Sequence, residues 1–181
     1  MGALAIPARR LTLARLILAS VFLALAMSRF SAAEPSAAGL WEQVDERSGK
    51  AESWFRITER NGVFEGAIVK MFLQPGDDPN PVCDKCEGTD RGKPALGLTL
   101  IKGMRRNGTH YEGGTITDPR DGSVYRALME LSPDGRKLEM RGYLGISLFG
   151  RSQTWNRLPD NALQNPTPAA RSGARTPASK K

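Results

Sequence analysis

The sequence contains little of what most catalytic and metal-binding sites require. Among 181 residues there are one histidine, His110, and two cysteines, Cys83 and Cys86. A Ser-His-Asp or Cys-His arrangement could use only His110, which follows an Asn-Gly turn at the edge of a predicted strand, where a surface histidine is expected. No glycine-rich phosphate-binding loop precedes a helical segment. We therefore expect no catalytic residue, no cofactor and no metal site, and we predict that the protein is not an enzyme.

A long hydrophobic run is also absent. Residues 16–27 are apolar except for Ser20, and this stretch is shorter than the ~20 residues that cross a bilayer, so we expect no stable membrane span. The stretch lies between a cluster of arginines and the small residues Ser31-Ala32-Ala33, which is the order of a secretory signal peptide. We predict that residues 1–33 are a signal peptide, cleaved after Ala33 or after Ala26, and that the mature protein is periplasmic or secreted.

Excess positive charge is confined to the two ends of the chain. The net charge is +7, but residues 1–33 carry four arginines, and residues 160–181 carry four basic residues and one acid. Residues 34–159 therefore hold 18 basic and 18 acidic residues. Nucleic-acid binding needs a concentrated basic face, so we expect no nucleic-acid partner. Residues 159–181 are rich in Pro, Ala and basic residues, and they are predicted to form a disordered basic tail.

Between these ends, short segments of strand length alternate with turn residues. Pairs such as Asn61-Gly62, Asn107-Gly108 and Asp121-Gly122 accept the positive φ values of tight turns. No long helical period occurs, and we predict strands at residues 39–46, 51–60, 63–73, 96–105, 109–118, 123–132, 136–144 and 150–158. The predicted fold is all-β: an eight-stranded antiparallel up-and-down barrel in residues 34–158.

Such a barrel can be filled with side chains or can hold one small ligand. Alternation along the strands selects residues that should face the interior: Trp41, Phe55, Ile57, Leu98, Leu100, Tyr125, Met129, Leu138 and Met140. Leu96 should share the face of Leu98 and Leu100. We interpret the inward-facing set as the candidate lining of a cavity for a small apolar or amphipathic ligand, and filling of the core is their alternative role. The second hypothesis is an envelope interaction protein that contacts a partner through its long loop and its tail.

Tryptophans mark both ends of the predicted barrel domain. Trp41 lies on the first strand and Trp155 on the last, so the two should be neighbours if the barrel closes. We expect Arg157 to stack on Trp41, with Arg151 as the alternative, because a guanidinium over an indole gains cation–π attraction. This contact would close one end of the barrel.

The connection between the last two strands is unusually apolar. Ile146, Leu148 and Phe149 occupy residues 144–150, where a polar hairpin would be usual. We expect this run to pack inward and plug one end of the barrel. If it is exposed instead, it would form an apolar lip that contacts a ligand, a membrane surface or a partner.

The two cysteines lie in a long connection, residues 74–95, between strands three and four. An even pair in an exported protein favours a disulfide, which here would fix the local turn. A thiol-redox role is the alternative, because oxidoreductases use the same two-residue spacing. Their cysteines open a helix, however, and no helix is predicted here. A zinc site would need two further ligands, so none is expected.

Several of these residues resemble those of known families. Gly39-x-Trp41 together with Trp155-x-Arg157 resembles the signature of lipocalins and related calycins. Further motifs are similar to those of the bacterial family called domain of unknown function 2147: Cys83-x-x-Cys86, Leu96-Gly97, Gly113-Gly114-x-Ile116-x-Asp118-Pro119, Gly122-x-x-Tyr125 and Arg141-Gly142-Tyr143-x-Gly145-x-Ser147-x-x-Gly150-Arg151-x-x-x-Trp155. The resemblance implies an exported bacterial protein with a lipocalin-like barrel, and it implies no agreed biochemical activity.

Overall fold

Eight antiparallel strands form a closed barrel in the computed structural model, which describes residues 34–164. The strands are β1 (Gly39–Val44), β2 (Ala51–Arg60), β3 (Val63–Met71), β4 (Thr99–Asn107), β5 (His110–Thr117), β6 (Val124–Leu131), β7 (Lys137–Tyr143) and β8 (Arg151–Leu158). Each strand pairs with the next along the chain, and β1 pairs with β8. The predicted fold class, with the cysteine-containing connection between β3 and β4, is confirmed.

The described residues from 35 onward belong to one compact unit, which contains the barrel. The predicted signal peptide, residues 1–33, and most of the predicted tail, residues 165–181, lie outside the described residues. Residues 159–164 follow β8 as a turn.

Because the strands run up and down, their connections alternate between two ends of the barrel. We call one end the base: it holds the tight turns after β2, β4 and β6 and the outer ends of β1 and β8. The other end, the mouth, holds the connections 45–50, 72–98, 118–123 and 144–150. The base turns are short because residues such as Asn61 (φ +53°) and Gly62 (φ +75°) adopt the left-handed conformation that a two-residue hairpin needs.

Alternate residues of the strands form a single core inside the barrel. Two aromatic pairs lie in it: Phe55 stacks on Trp155 with ring centres 4.4 Å apart, and Phe64 meets Tyr111 edge to face at 4.8 Å. Strands β3 and β4 also pack closely where Gly66 lacks a side chain. A Cβ at this position would lie 2.6 Å from Cδ1 of Ile101. Glycine at this position allows the sheet to bend around the core.

One strand boundary differs from the prediction in a way that changes a side chain's environment. β4 begins at Thr99 rather than at residue 96, because Gly97 (φ +89°) turns the chain before the ladder starts. Leu96 therefore lies outside the strand and is exposed, whereas Leu98 and Leu100 are buried. The prediction that all three leucines share an inner face is wrong for Leu96.

Candidate functional site: the barrel mouth

The base of the barrel is closed by a cluster around Arg157. Its guanidinium carbon lies 4.2 Å from the centre of the Trp41 ring, and its register partner on β1 is Trp41 itself. The guanidinium donates hydrogen bonds to the carbonyl oxygens of Ser36, Ala38 and Gly135. It thereby ties the segment before β1 to the turn between β6 and β7. Burial lowers the pKa of Arg157 from its ordinary value, and the side chain stays charged at neutral pH.

The segment before β1 completes this closure. The Ala37 N–H donates to the Tyr111 hydroxyl at 2.8 Å, and Nε1 of Trp41 donates to the Ala37 carbonyl, also at 2.8 Å. Every polar group that these contacts bury thus has a partner. Arg151, the alternative partner for Trp41, lies at the opposite end, where it pairs with Gly142 and is exposed.

The nine residues predicted to line a cavity face the interior, but eight of them are packed into the core. Trp41, Phe55, Ile57, Leu98, Leu100, Met129, Leu138 and Met140 are each at most 5% exposed and belong to one continuous hydrophobic cluster. Tyr125, nearer the mouth, is half-buried. The interior next to the base is therefore a filled core, and the side chains that could meet a ligand lie closer to the mouth.

A polar layer lies above this core. Ser53 donates to Oε1 of Gln43 at 2.6 Å, and Nε2 of Gln43 donates to Oε1 of Gln153 at 2.9 Å. The three residues come from β2, β1 and β8, and each is two positions nearer the mouth than an inward-facing aromatic residue. This layer was not predicted from the sequence. The two-residue alternation of the strands, extended from Phe55, Trp41 and Trp155 towards the mouth, leads to its three residues.

An indole N–H in the interior has no hydrogen-bond partner. Trp155 is 1% exposed, and its Nε1 donates to no described atom. On β8, Trp155 shares a face with Gln153, and Gln153 lies two residues nearer the mouth. Buried donors are nearly always paired in native proteins, so an unpaired donor next to a polar layer is a candidate contact for a ligand's acceptor atom.

The long connection between β3 and β4, residues 72–98, forms a disulfide loop at the mouth end of the barrel. Cys83 and Cys86 form the predicted disulfide, which is confirmed, and both belong to the hydrophobic core. The Cys83 N–H donates to the Lys93 carbonyl, and the Gly92 N–H donates to the Cys83 carbonyl, each at 2.9 Å. These bonds and the Val82–Pro94 bridge fold the loop back on itself.

Two contacts fasten the disulfide loop to the barrel. Gly122, in the connection between β5 and β6, packs directly on the Lys85–Cys86 backbone, where a Cβ would collide with the Lys85 carbonyl. Asp90 forms ion pairs with Lys102 on β4 and with Lys93 at 2.8 Å. Hydrogen bonds from Lys102 and then Lys93 lower the pKa of Asp90 to about 2.

The aliphatic side chains of the connection between β7 and β8 do not plug the barrel. Leu144, Ile146 and Leu148 are 66%, 60% and 75% exposed, so the expectation of inward packing is wrong for Ile146 and Leu148, and the side chain of Phe149 lies outside the described part of the chain. The reason is local: Arg141 donates to the carbonyl oxygens of Ser147 and Leu148, and these bonds hold residues 144–150 outside the barrel. We call this segment the apolar lip.

Other features of the described residues offer little chemistry. His110 is exposed, and its Nδ1 lies 3.8 Å from a Glu130 carboxylate oxygen. Within residues 34–164, no three His, Cys, Asp or Glu side chains group closely enough to hold a metal ion, and no helix has the length and apolar character to cross a membrane. An open groove of about 260 Å³ runs between Asp90 and Thr99, and Leu98 is the one cavity candidate that lines it.

Comparisons with known proteins agree with this architecture. A family model described as "Uncharacterized protein conserved in bacteria (DUF2147)" matches residues 39–157. A solved structure, described as "Protein HP1028 from the human pathogen Helicobacter pylori belongs to the lipocalin family", is similar with a TM-score of 0.60 and 20% sequence identity. The match covers 72% of this chain and 88% of that one. No curated protein matches.

Proposed function

Because the chain belongs to the DUF2147 family and folds as a lipocalin-like barrel, we propose that it is an exported, non-catalytic protein that binds one small amphipathic molecule at the barrel mouth. The unpaired N–H of Trp155 carries this proposal. A buried donor without a partner costs free energy in the unbound protein, and a ligand acceptor would recover it. Gln43 and Gln153 offer further amide groups close by.

The surroundings of the polar layer favour an amphipathic ligand over a purely apolar one. Tyr125 and Ile116 supply apolar surface near the mouth, and Gly142, which has no side chain, lies next to both. The polar part of a ligand would meet the amides and the indole N–H, while its apolar part would contact this surface. Access to the layer would be from the mouth, past the disulfide loop.

The same residues favour binding over catalysis. Ser53 is the hydroxyl in the polar layer, and it donates to Gln43, a neutral amide that cannot accept its proton as a general base. A thiol-redox function is not favoured either, because both cysteines are buried in a loop. The 3-10 helix that follows them, Gly88–Asp90, has three residues and is too short to provide the helix N-terminus that activates a thiolate.

Export is proposed from the signal-like residues 1–33, and the disulfide supports it, since such bonds persist in oxidising compartments. Cell fractionation and sequencing of the mature N-terminus would test it. We expect the protein in the periplasm or medium with residues 1–33 removed; an intact N-terminus in the cytoplasm would contradict export.

Ligand binding is tested with a fluorescent amphipathic probe, 11-(dansylamino)undecanoic acid, and a matched pair of tryptophan variants. Trp155→Phe replaces the indole by a smaller aromatic ring that can still stack on Phe55 and removes the N–H, so probe affinity should fall about 2- to 12-fold. Trp54→Phe is the control, because Trp54 alternates with Phe55 and bonds Glu42 on the outer side of the sheet. Its affinity should match that of the unmodified protein.

Two results would contradict the proposal. The first is the absence of saturable probe binding together with native mass spectrometry that finds no bound molecule on protein purified from its own host. The second is an equal effect of both tryptophan substitutions on probe affinity, which would show that binding does not depend on the interior N–H of Trp155.

A further inference from the structure

The apolar lip projects three aliphatic side chains into solvent at the mouth. Leu144, Ile146 and Leu148 are all more than half exposed, although apolar side chains of this size are usually covered. Val124, also exposed, begins β6 at the mouth, two residues before Arg126, which pairs with Tyr143 at the end of β7. Leu73, Val82 and Leu96 are further exposed apolar residues at the same end.

The lip is held in this position by hydrogen bonds. Arg141 donates to the Ser147 carbonyl at 2.7 Å, to the Leu148 carbonyl at 3.2 Å and to the Ser152 hydroxyl at 2.8 Å. Gly150 packs so tightly that a Cβ there would lie 2.6 Å from the Gly142 carbonyl oxygen. The exposed conformation is thus fixed by the barrel itself, and the apolar side chains are presented in advance of any contact.

Basic side chains lie beside the lip. Residues 140–156 contain Arg141 and Arg151 and no Asp or Glu. Arg141 bonds to carbonyl and hydroxyl oxygens, and the exposed side chains of Arg126 and Arg151 form no ion pair with any residue of the described chain. The disulfide loop differs, because residues 72–98 hold five acids and three basic residues. The mouth therefore has a cationic, apolar side and a more acidic side.

We propose that the apolar lip docks its own side of the barrel mouth onto an anionic phospholipid surface. Leu144, Ile146 and Leu148 would enter the headgroup region, and Arg126 and Arg151 would pair with lipid phosphates. Interfacial binding of this kind combines apolar burial with attraction to anionic lipids, and the lip supplies both. The acidic disulfide loop would turn away from the same surface.

A lipid surface matches the lip better than a protein partner does. Three aliphatic side chains on one loop expose on the order of a few hundred Å², whereas a stable protein interface buries ~800 Å² on each side. Flanking charges of one sign suit a surface that carries the opposite sign throughout. This proposal does not depend on ligand binding at the polar layer, because the lip and the arginines lie outside the core.

Co-sedimentation of the processed protein with vesicles tests the proposal. We expect binding to phosphatidylcholine vesicles that contain about 30 mol% phosphatidylglycerol, weaker binding to pure phosphatidylcholine, and weakening by salt. The triple variant Leu144→Ser, Ile146→Ser, Leu148→Ser should bind at least about tenfold less tightly. Arg126→Gln combined with Arg151→Gln should bind several-fold less tightly.

Leu163→Ser is the matched control, because Leu163 is an exposed leucine that follows β8 at the base. Its binding should be unchanged. The basic tail is present in all variants, so full binding by the triple variant would assign vesicle attraction to the tail and overturn the proposal.

A second measurement tests the proposal without requiring that the triple variant folds. Ile146→Cys, labelled with a polarity-sensitive dye, should show a blue-shifted emission on anionic vesicles, and Leu163→Cys should not. Equal shifts at the two positions, or none at residue 146, would contradict docking through the lip.

Discussion

The guanidinium of Arg157 lies against the ring of Trp41 at 4.2 Å and bonds three backbone carbonyls, so one side chain joins β8, β1, the segment before β1 and the turn after β6. Sequence positions separated by about 120 residues are thereby fixed at the base. The base is the sealed end, and the mouth is where the structure keeps polar and apolar groups available.

Arg157→Gln should destabilise the barrel by about 2–4 kcal/mol, because it removes the cation–π contact and leaves buried carbonyls without donors. Urea unfolding followed by tryptophan fluorescence measures the loss. Arg151→Gln, with no such contacts, should stay within about 0.5 kcal/mol of the unmodified protein. Equal stability of the two variants would refute the assigned role of Arg157.

Removing the disulfide should loosen the mouth and leave the base intact. Cys83→Ala with Cys86→Ala should cost about 2 kcal/mol on the chain-entropy model for so short a loop. Amide hydrogen exchange should accelerate at Gly92 and Ala95, whose N–H groups bond within the disulfide loop, and should not change at Leu131 near the base. Unchanged exchange at Gly92 and Ala95 would show that the loop is held without the disulfide.

Gly122→Ala should weaken the attachment of the disulfide loop. Its Cβ would strike the Lys85 backbone, and its φ of +74° disfavours a side chain as well. Gly108→Ala is the matched control, since Gly108 has a similar φ of +65° but nothing within 4 Å of an added Cβ. Thermal unfolding should show a loss of about 1 kcal/mol for Gly108→Ala and a clearly larger loss for Gly122→Ala. Equal losses would mean that contact with the loop adds nothing.

The Asp90 ion pairs should make stability fall in acid. The pKa of Asp90 is about 2 in the folded protein, against an ordinary 3.8, so the unfolded chain takes up the proton first as the pH falls. The contribution is therefore complete above about pH 4 and is lost progressively towards pH 2.

Asp90→Asn should be less stable at neutral pH, and its stability should change less between pH 4 and 2. Asp84→Asn, at an exposed position of the same loop, should keep the pH dependence of the unmodified protein. Melting temperatures measured from pH 2 to 7 compare the three proteins. If the melting temperatures of Asp90→Asn and the unmodified protein change with pH in parallel, Asp90 is not the origin of the loss of stability in acid.

Turn chemistry and alternation in the sequence determined the eight strands, their order and the inward face that carries Trp41, Phe55 and Leu138. These features are local, because tight turns join neighbouring strands and a two-residue period sets which side chains face inward. The tryptophans of the first and last strands, Trp41 and Trp155, also predicted that β1 and β8 meet.

Only the tertiary structure decided the role of the mouth. The apolar lip stays outside because Arg141, which precedes it, bonds its carbonyls, and the disulfide loop can pack on the connection between β5 and β6 because Gly122 lacks a side chain there. The polar layer forms because β1, β2 and β8 place Gln43, Ser53 and Gln153 side by side. The N–H of Trp155 is unpaired because no neighbouring residue of the described chain provides a hydrogen-bond acceptor. Such relationships depend on distances between residues far apart in sequence, which no local pattern encodes.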